Sequence, residues 1–146
     1  MGIKERRMKR LFGEDRKAVY VPIDHGILGM VKGLEDPVKL AEDLIKDGID
    51  GTLMQIGIIK QTNYLFENVK NLPARVLTAD YRQTWSIPGK SEEIAGCFLN
   101  AAAEQAVKYG CDAVKLLLPI GLSSELELEH VKIISALVKE CDKYDM

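Results

Sequence analysis

One pattern repeats along the chain: a short, nearly continuous apolar run, a turn, then a longer amphipathic stretch. The apolar runs fall at residues 18–24 (AVYVPID), 51–56, 75–80 (RVLTAD) and 112–120 (DAVKLLLPI). Their β-branched, unalternating character is that of strands buried on both faces. Amphipathic stretches follow at 36–47 (DPVKLAEDLIKD), 58–69, 91–109 and from Ser123 or Ser124 to 143. Asp36 caps the first with Pro37 in its opening turn, Ser91 with Glu93 close behind opens the third, and Gly110 closes it. Strands that alternate with helices pair in parallel, because each crossover carries the chain back to the same end of the sheet. The segments KDGIDG and KYGCDAV repeat one join, in which a helix ends, glycine turns the chain and an acidic residue leads into the next strand. That repetition predicts an α/β fold of the barrel series, with about four βα units and no domain break across 18–146.

A complete (β/α)₈ barrel takes roughly 250 residues, and this chain has 146. It therefore reads as the N-terminal half of a barrel, ending as the fourth helix ends. A half barrel leaves its first and last strands as open edges, and such edges pair with another chain or aggregate. Homo-oligomerisation, or association through those edges, is expected.

Residues 1–17 stand apart, because Lys4, Arg6, Arg7, Lys9, Arg10, Arg16 and Lys17 outnumber Glu5, Glu14 and Asp15. Clustered basic groups can neutralise phosphates, but no aromatic residues interleave with them to stack bases. Met8, Leu11 and Phe12 instead fall at helical spacing. The expectation is a short amphipathic helix and lead-in that packs on its own domain or a neighbouring subunit, with no nucleic-acid partner. No apolar run approaches the ~20 residues of a membrane-spanning helix, so a cytoplasmic protein with no membrane partner is expected. Cys97, Cys111 and Cys141 are odd in number and form no CxxC, which reads as reduced, buried thiols.

In a parallel βα series the chemistry gathers at the C-terminal strand ends, where loops vary freely. Asp24 and His25 close the first run, Gln55 the second, and Asp80 the third, with Thr78 two residues earlier on the same face. Lys115 lies inside the fourth run, followed by three leucines. It either snorkels to solvent or points inward toward Asp24 and Asp80. Desolvation and nearby carboxylates act on it in opposite directions, which leaves open whether it is a neutral nucleophile or a fixed cation. Asp24 is either a loop cap or a carboxylate that moves protons at a carbonyl or hydroxyl carbon. His25 reads as an orienting or structural partner, since the only other histidine is His130, and two scattered histidines make no zinc ligand set. GxGxxG, GxxxxGK[ST] and GxSxG are absent, so neither a metal nor a cofactor is indicated. Residues 81–90 (YRQTWSIPGK), with Arg82, Trp85 and Lys90, read as a long loop that covers one side of the pocket or packs with Trp85 in the core.

VPIDHG followed by GLEDP, together with the strand-borne lysine of GCDAVKLLLPIG, resembles the class I aldolases of the deoxyribose-phosphate aldolase superfamily. The opening is similar to archaeal-type fructose-bisphosphate aldolases and aminodideoxyheptulosonate synthases. The lysine strand is similar to tagatose-bisphosphate and sulfosugar-phosphate aldolases. The resemblance runs over residues 4–146 and implies a TIM barrel that makes or breaks a carbon–carbon bond in a phosphorylated ketose, such as fructose or tagatose 1,6-bisphosphate. A lysine Schiff base would serve as electron sink while a carboxylate moves the hydroxyl proton.

On that likeness Asp24 is the acid/base carboxylate and Lys115 corresponds to the second active-site lysine, which binds substrate or tunes the nucleophile. His25, Gln55, Asp80 and Arg82 would contact substrate. In the family the Schiff-base lysine comes from a later strand, about the sixth, and the phosphate is held by loops after the last two strands. The chain is therefore expected to be a catalytically incomplete half. Two other functions fit the same residues: an aminodideoxyheptulosonate-type synthase, and a non-catalytic module for sugar-phosphate binding or assembly.

Overall fold

The computed structural model describes residues 2–28, 31–67, 72–82, 97–99, 101–118 and 120–146. Its elements run α1 (Ile3–Leu11), β1 (Tyr20–Pro22), α2 (Pro37–Asp47), β2 (Gly51–Gln55), α3 (Ile56–Thr62), β3 (Ala74–Thr78), β4 (Asp80–Arg82), β5 (Cys97–Leu99), α4 (Ala103–Lys108), β6 (Ala113–Lys115) and α5 (Ser124–Asp142). Strands β1, β2, β3 and β6 form one parallel sheet in that spatial order. Each new strand is added on the same side of the last, as in a barrel wall. A doubly wound sheet would reverse direction at a switch point.

The two faces of the sheet have different surroundings. Ile23, Met54, Leu77 and Ala79 join Ala41, Ile59, Ala103, Ala106 and Leu137 in one buried core against the helices. Burying a side chain as large as Met54 or Leu77 contributes about 1.5–3 kcal/mol. The strand period of two sends the alternate residues, Asp24, Thr78 and Lys115 among them, to the opposite face.

The repeated helix-to-strand join does the same work twice. Gly48 and Gly110 take positive φ values of 76° and 64°, a conformation with little cost only for glycine. The acidic residue that follows then pins a neighbouring strand. Asp50 Oδ2 accepts the backbone N–H of Val19 at 2.7 Å, and Asp112 Oδ2 accepts that of Arg75 at 3.0 Å.

At this N-terminal end of the strands α1 docks through polar contacts. Arg10 Nε lies 3.1 Å from Asp112 Oδ1, the Tyr20 hydroxyl donates to the Leu11 carbonyl at 2.8 Å, and the Arg7 guanidinium donates to the carbonyls of Tyr144 and Asp145. The apolar spacing of Met8 and Phe12 does not produce a buried face here, since the two are 48% and 42% exposed.

Three expectations are corrected. The helix expected over 91–109 is α4 alone in its described part, preceded by β5, which pairs antiparallel with β4 in the register Asp80↔Leu99 to Arg82↔Cys97. Phe98 has strand propensity, and pairing with β4 overrides the helical spacing of the flanking alanines. Ser91, Glu93, Trp85 and Lys90 lie outside the described residues. The helix expected over 58–69 is the shorter α3 followed by a 3₁₀ turn at Asn63–Phe66. The Thr62 hydroxyl donates back to the Ile58 carbonyl at 2.8 Å, a bond that competes with regular helix geometry at that point.

Tyr81 and Arg82, expected to open the long loop over 81–90, stand instead in β4, where pairing with β5 overrides their turn-rich surroundings. The capping of α2 and α5 agrees with the sequence pattern. Asp36 Oδ1 accepts the N–H of Lys39, and Ser123 Oγ that of Leu126. Among the described residues no helix is long and apolar enough to cross a membrane.

Candidate active site

Polar side chains converge at the C-terminal ends of the parallel strands. Strand pairing continues one residue past β1, where the Ile23 N–H donates to the Leu53 carbonyl at 2.9 Å, and Asp24 follows with 5% of its surface exposed. Its Oδ2 accepts two hydrogen bonds, one from the Thr78 hydroxyl at 2.6 Å and one from the Lys115 ammonium at 2.9 Å. Asp24 follows β1, Thr78 ends β3 and Lys115 ends β6, so one carboxylate oxygen ties together three of the four parallel strands. Lys115 thus points inward and does not snorkel to solvent; its side chain is 26% exposed.

The other oxygen, Oδ1, has a different neighbourhood. His25 opens the 3₁₀ turn His25–Leu28 and sets its Nδ1 3.7 Å from Oδ1, with 40% of the imidazole side chain exposed. That separation exceeds hydrogen-bond length, and Nδ1 is buried without a partner among the described residues. Gln55 ends β2 in register with Thr78. Its Nε2 is likewise buried with no partner among the described residues. The four parallel strands therefore each deliver a polar residue to the same end: Asp24, Gln55, Thr78 and Lys115.

Asp80 is placed differently. It begins β4, is 1% exposed, and its Oδ2 accepts the Leu117 N–H at 3.2 Å, so it clasps the segment that follows β6. Arg82 lies in β4 with its backbone paired to Cys97, and its side chain lies outside the described residues. Sequence reading placed Thr78 on the right face but gave it no function. The TAD spacing at the end of the third apolar run was the available signal.

The arrangement suits proton transfer. A nearly buried carboxylate is held at one oxygen by a hydroxyl and a cation, while the second oxygen lies on the side of the partly exposed His25 imidazole. Such a group can take a hydroxyl proton, and an ammonium beside it stabilises negative charge that develops on a substrate oxygen. Among the described residues no group of three or more His, Cys, Asp or Glu side chains is arranged to hold a metal ion. A cavity of about 890 Å³ lies elsewhere, on α1 beside Met8, Phe12 and Arg16. Glu5, Lys9 and Glu14 are its other charged walls, and no buried acid/base pair faces it. The polar cluster at the strand ends marks the site better than that cavity does.

Residues 18–146 match the family model described as DeoC/LacD family aldolase. The chain is 30% identical over 146 residues to an uncharacterised aldolase of Saccharolobus solfataricus, a match that covers 96% of this chain and 52% of that protein. It is 28% identical over 141 residues to 2-amino-3,7-dideoxy-D-threo-hept-6-ulosonate synthase 1 of Archaeoglobus fulgidus, covering 97% and 50%. The fold superposes with a TM-score of 0.67 on a Schiff-base-forming fructose-1,6-bisphosphate aldolase, at 20% identity, over 99% of this chain and 55% of that one. It superposes equally well, at 21% identity and the same coverage, on an archaeal fructose-1,6-bisphosphate aldolase whose catalytic lysine is bound to the carbinolamine intermediate of the substrate. The chain spans about half the length of the relatives it matches, and its four parallel strands with their helices are the corresponding portion of a TIM-barrel wall. With the family model matched over nearly its whole length, and buried polar groups gathered at the strand ends, the chain belongs to the DeoC/LacD family of aldolases.

Proposed function

We propose that these βα units supply the acid/base half of a class I, metal-independent aldolase site acting on a phosphorylated ketose such as fructose or tagatose 1,6-bisphosphate. The single observation that carries this reading is the Asp24 carboxylate, held on one oxygen by Thr78 and Lys115 at the strand ends. In the cleavage direction the substrate carbonyl is held as an iminium on a lysine of the remaining barrel wall. Asp24 takes the proton of the hydroxyl next to the breaking bond, the carbon–carbon electrons flow into the iminium, and an aldehyde leaves. Lys115 works as a fixed cation, because an ammonium donating to a carboxylate must first give up a proton before it can attack a carbonyl. His25 and Gln55 contact substrate oxygens at the mouth.

Borohydride trapping tests this. The chain is incubated with dihydroxyacetone phosphate, reduced, and mapped by peptide mass spectrometry. Lys115 is expected to stay unmodified, and an adduct on Lys115 would make it the nucleophile and refute its role as fixed cation.

The likeness to the Archaeoglobus fulgidus synthase favours a second reading, a synthase that joins a ketose-derived fragment to an amino-acid semialdehyde. Products separate the two, since cleavage of a ketose bisphosphate releases triose phosphates.

The open strands β1 and β6, with Val19, Leu118 and Ile120 exposed beside them, support association with further barrel wall or a second copy. Sedimentation equilibrium that gives a monomer at all concentrations would refute association between copies. The free thiols of Cys111 and Cys141 suit a reducing cytoplasm.

A further inference from the structure

We propose that Thr78 is the positioning residue that gives the two oxygens of Asp24 different tasks, Oδ2 as anchor and Oδ1 as the oxygen that exchanges the substrate proton. The inference rests on the acid/base role of Asp24 given above and adds to it the residue that orients the carboxylate.

The geometry separates the contributions of the two donors on Oδ2. An aspartate carboxylate rotates readily about its last torsion, which has broad, shallow preferences. The Lys115 ammonium is a point charge on a long flexible stem, so it can follow either oxygen through such a rotation. Thr78 cannot. Its β-branched side chain is stiff at χ1, it is 0% exposed, and it sits at the end of β3, paired on one side with β2 through Gln55 and on the other with β6 through Lys115. Its hydroxyl donates to Oδ2 at 2.6 Å, the short separation of a charge-assisted bond.

An oxygen that already accepts two donors is the weaker proton acceptor, so the proton exchanges at Oδ1. Among the described residues that oxygen faces the His25 imidazole at 3.7 Å, which reaches the surface and can carry the proton onward. Among the described residues the charged and titratable groups facing Asp24 are Lys115 of β6 and His25 of the turn after β1, and both stay unchanged in the variants below.

The test follows the Asp24 carboxyl ¹³C resonance through an acid titration in the wild-type chain, Thr78→Val and Thr78→Ser, with thermal unfolding of each. Loss of the hydroxyl should move the protonation of Asp24 upward by about one pH unit, and Thr78→Ser should restore it. A merely structural role would lower the melting temperature of Thr78→Val and leave the Asp24 titration unmoved. An unmoved titration in a folded Val variant refutes the proposal. Should that variant fail to fold, the wild-type hydroxyl proton decides: slow exchange with solvent supports the anchor, and fast exchange refutes it. None of these readouts needs turnover, so an adduct trapped on Lys115 would overturn the division of roles proposed above and still leave the Thr78 result legible.

Discussion

The half barrel carries a buried carboxylate paired with a cation at each end of its sheet, and the two pairs are built differently. Asp112, at the N-terminal end, commits both oxygens to the scaffold. Oδ2 takes the backbone N–H of Arg75 and Oδ1 faces Arg10 of α1. Asp24, at the C-terminal end, commits only Oδ2 among the described residues, and there to side chains alone. Both residues are nearly buried, at 4% and 5% exposed, so burial does not distinguish them. The distinction is whether an oxygen remains for something outside the fold.

The surroundings of Asp112 fit a structural duty. Burial pushes its carboxyl above the usual range, against the pull of the Arg75 N–H and then of the Arg10 and Arg75 guanidiniums. Arg75 lies beneath Phe66, with its guanidinium 4.2 Å from the ring centroid, and donates to Asn63 Oδ1. Burial lowers its own pKa. This end of the sheet is a polar network that fastens α1 and the strand entries. Contacts of that kind hold a fold together and leave little room for a ligand.

The comparison predicts a split between activity and stability. In the assembled aldolase, Asp24→Asn should lower kcat by about a thousandfold with little change in melting temperature, as read by a coupled triose-phosphate assay beside a thermal scan. Retained activity with a lowered melting temperature would make Asp24 the structural member and break the contrast.

The next largest effect belongs to the opposite end. Asp112→Ala strands a buried backbone N–H and should cost about 2–3 kcal/mol in urea unfolding. Arg10→Ala, at a side chain 46% exposed, should cost well under about 1 kcal/mol. Equal losses would mean that the Arg10 ion pair, and not the backbone anchor, holds this end.

The smallest effect sharpens the picture of the N-terminal end. Burial pushes the Cys111 thiol up to about 11, with nearby Arg75 acting against the shift. Its folded value thus lies above its unfolded one. The contribution to stability is flat below the ordinary thiol range and falls as pH rises through that range toward about 11. Native chain treated with iodoacetamide near about pH 8 should leave Cys111 unmodified, and urea-unfolded chain should alkylate promptly. Rapid native alkylation would show that this end opens.

Much of the architecture was legible in the sequence because it rests on local chemistry. The continuous apolar runs could only be strands covered on both faces, and the caps at Asp36 and Ser123 act within three residues of themselves. The two Gly-then-acid joins declared their repetition directly. The stretch around Cys97–Leu99 was not legible, since alanines on either side continue a helical spacing and only pairing with β4 makes it a strand. Asp24 and Lys115 were legible as ionisable residues in apolar strands. Whether Lys115 pointed inward was not, because its position in a strand is compatible with either face until the register with Thr78 is known.

By itself, then, the sequence determined the kind of layers this chain builds, their parallel direction and the end at which polar residues accumulate, since periodicity and turn chemistry act over a few residues. Only the tertiary structure decided that Thr78 and Lys115 meet on the same oxygen of Asp24, across 54 and 91 positions of chain. It likewise decided that Asp80, although it sits at a strand end, clasps the backbone of Leu117. Those outcomes depend on how far the sheet curls and which strand lies next to which. Curl and register are set by the packing of the whole sheet against its helices, a quantity that no local stretch of sequence contains.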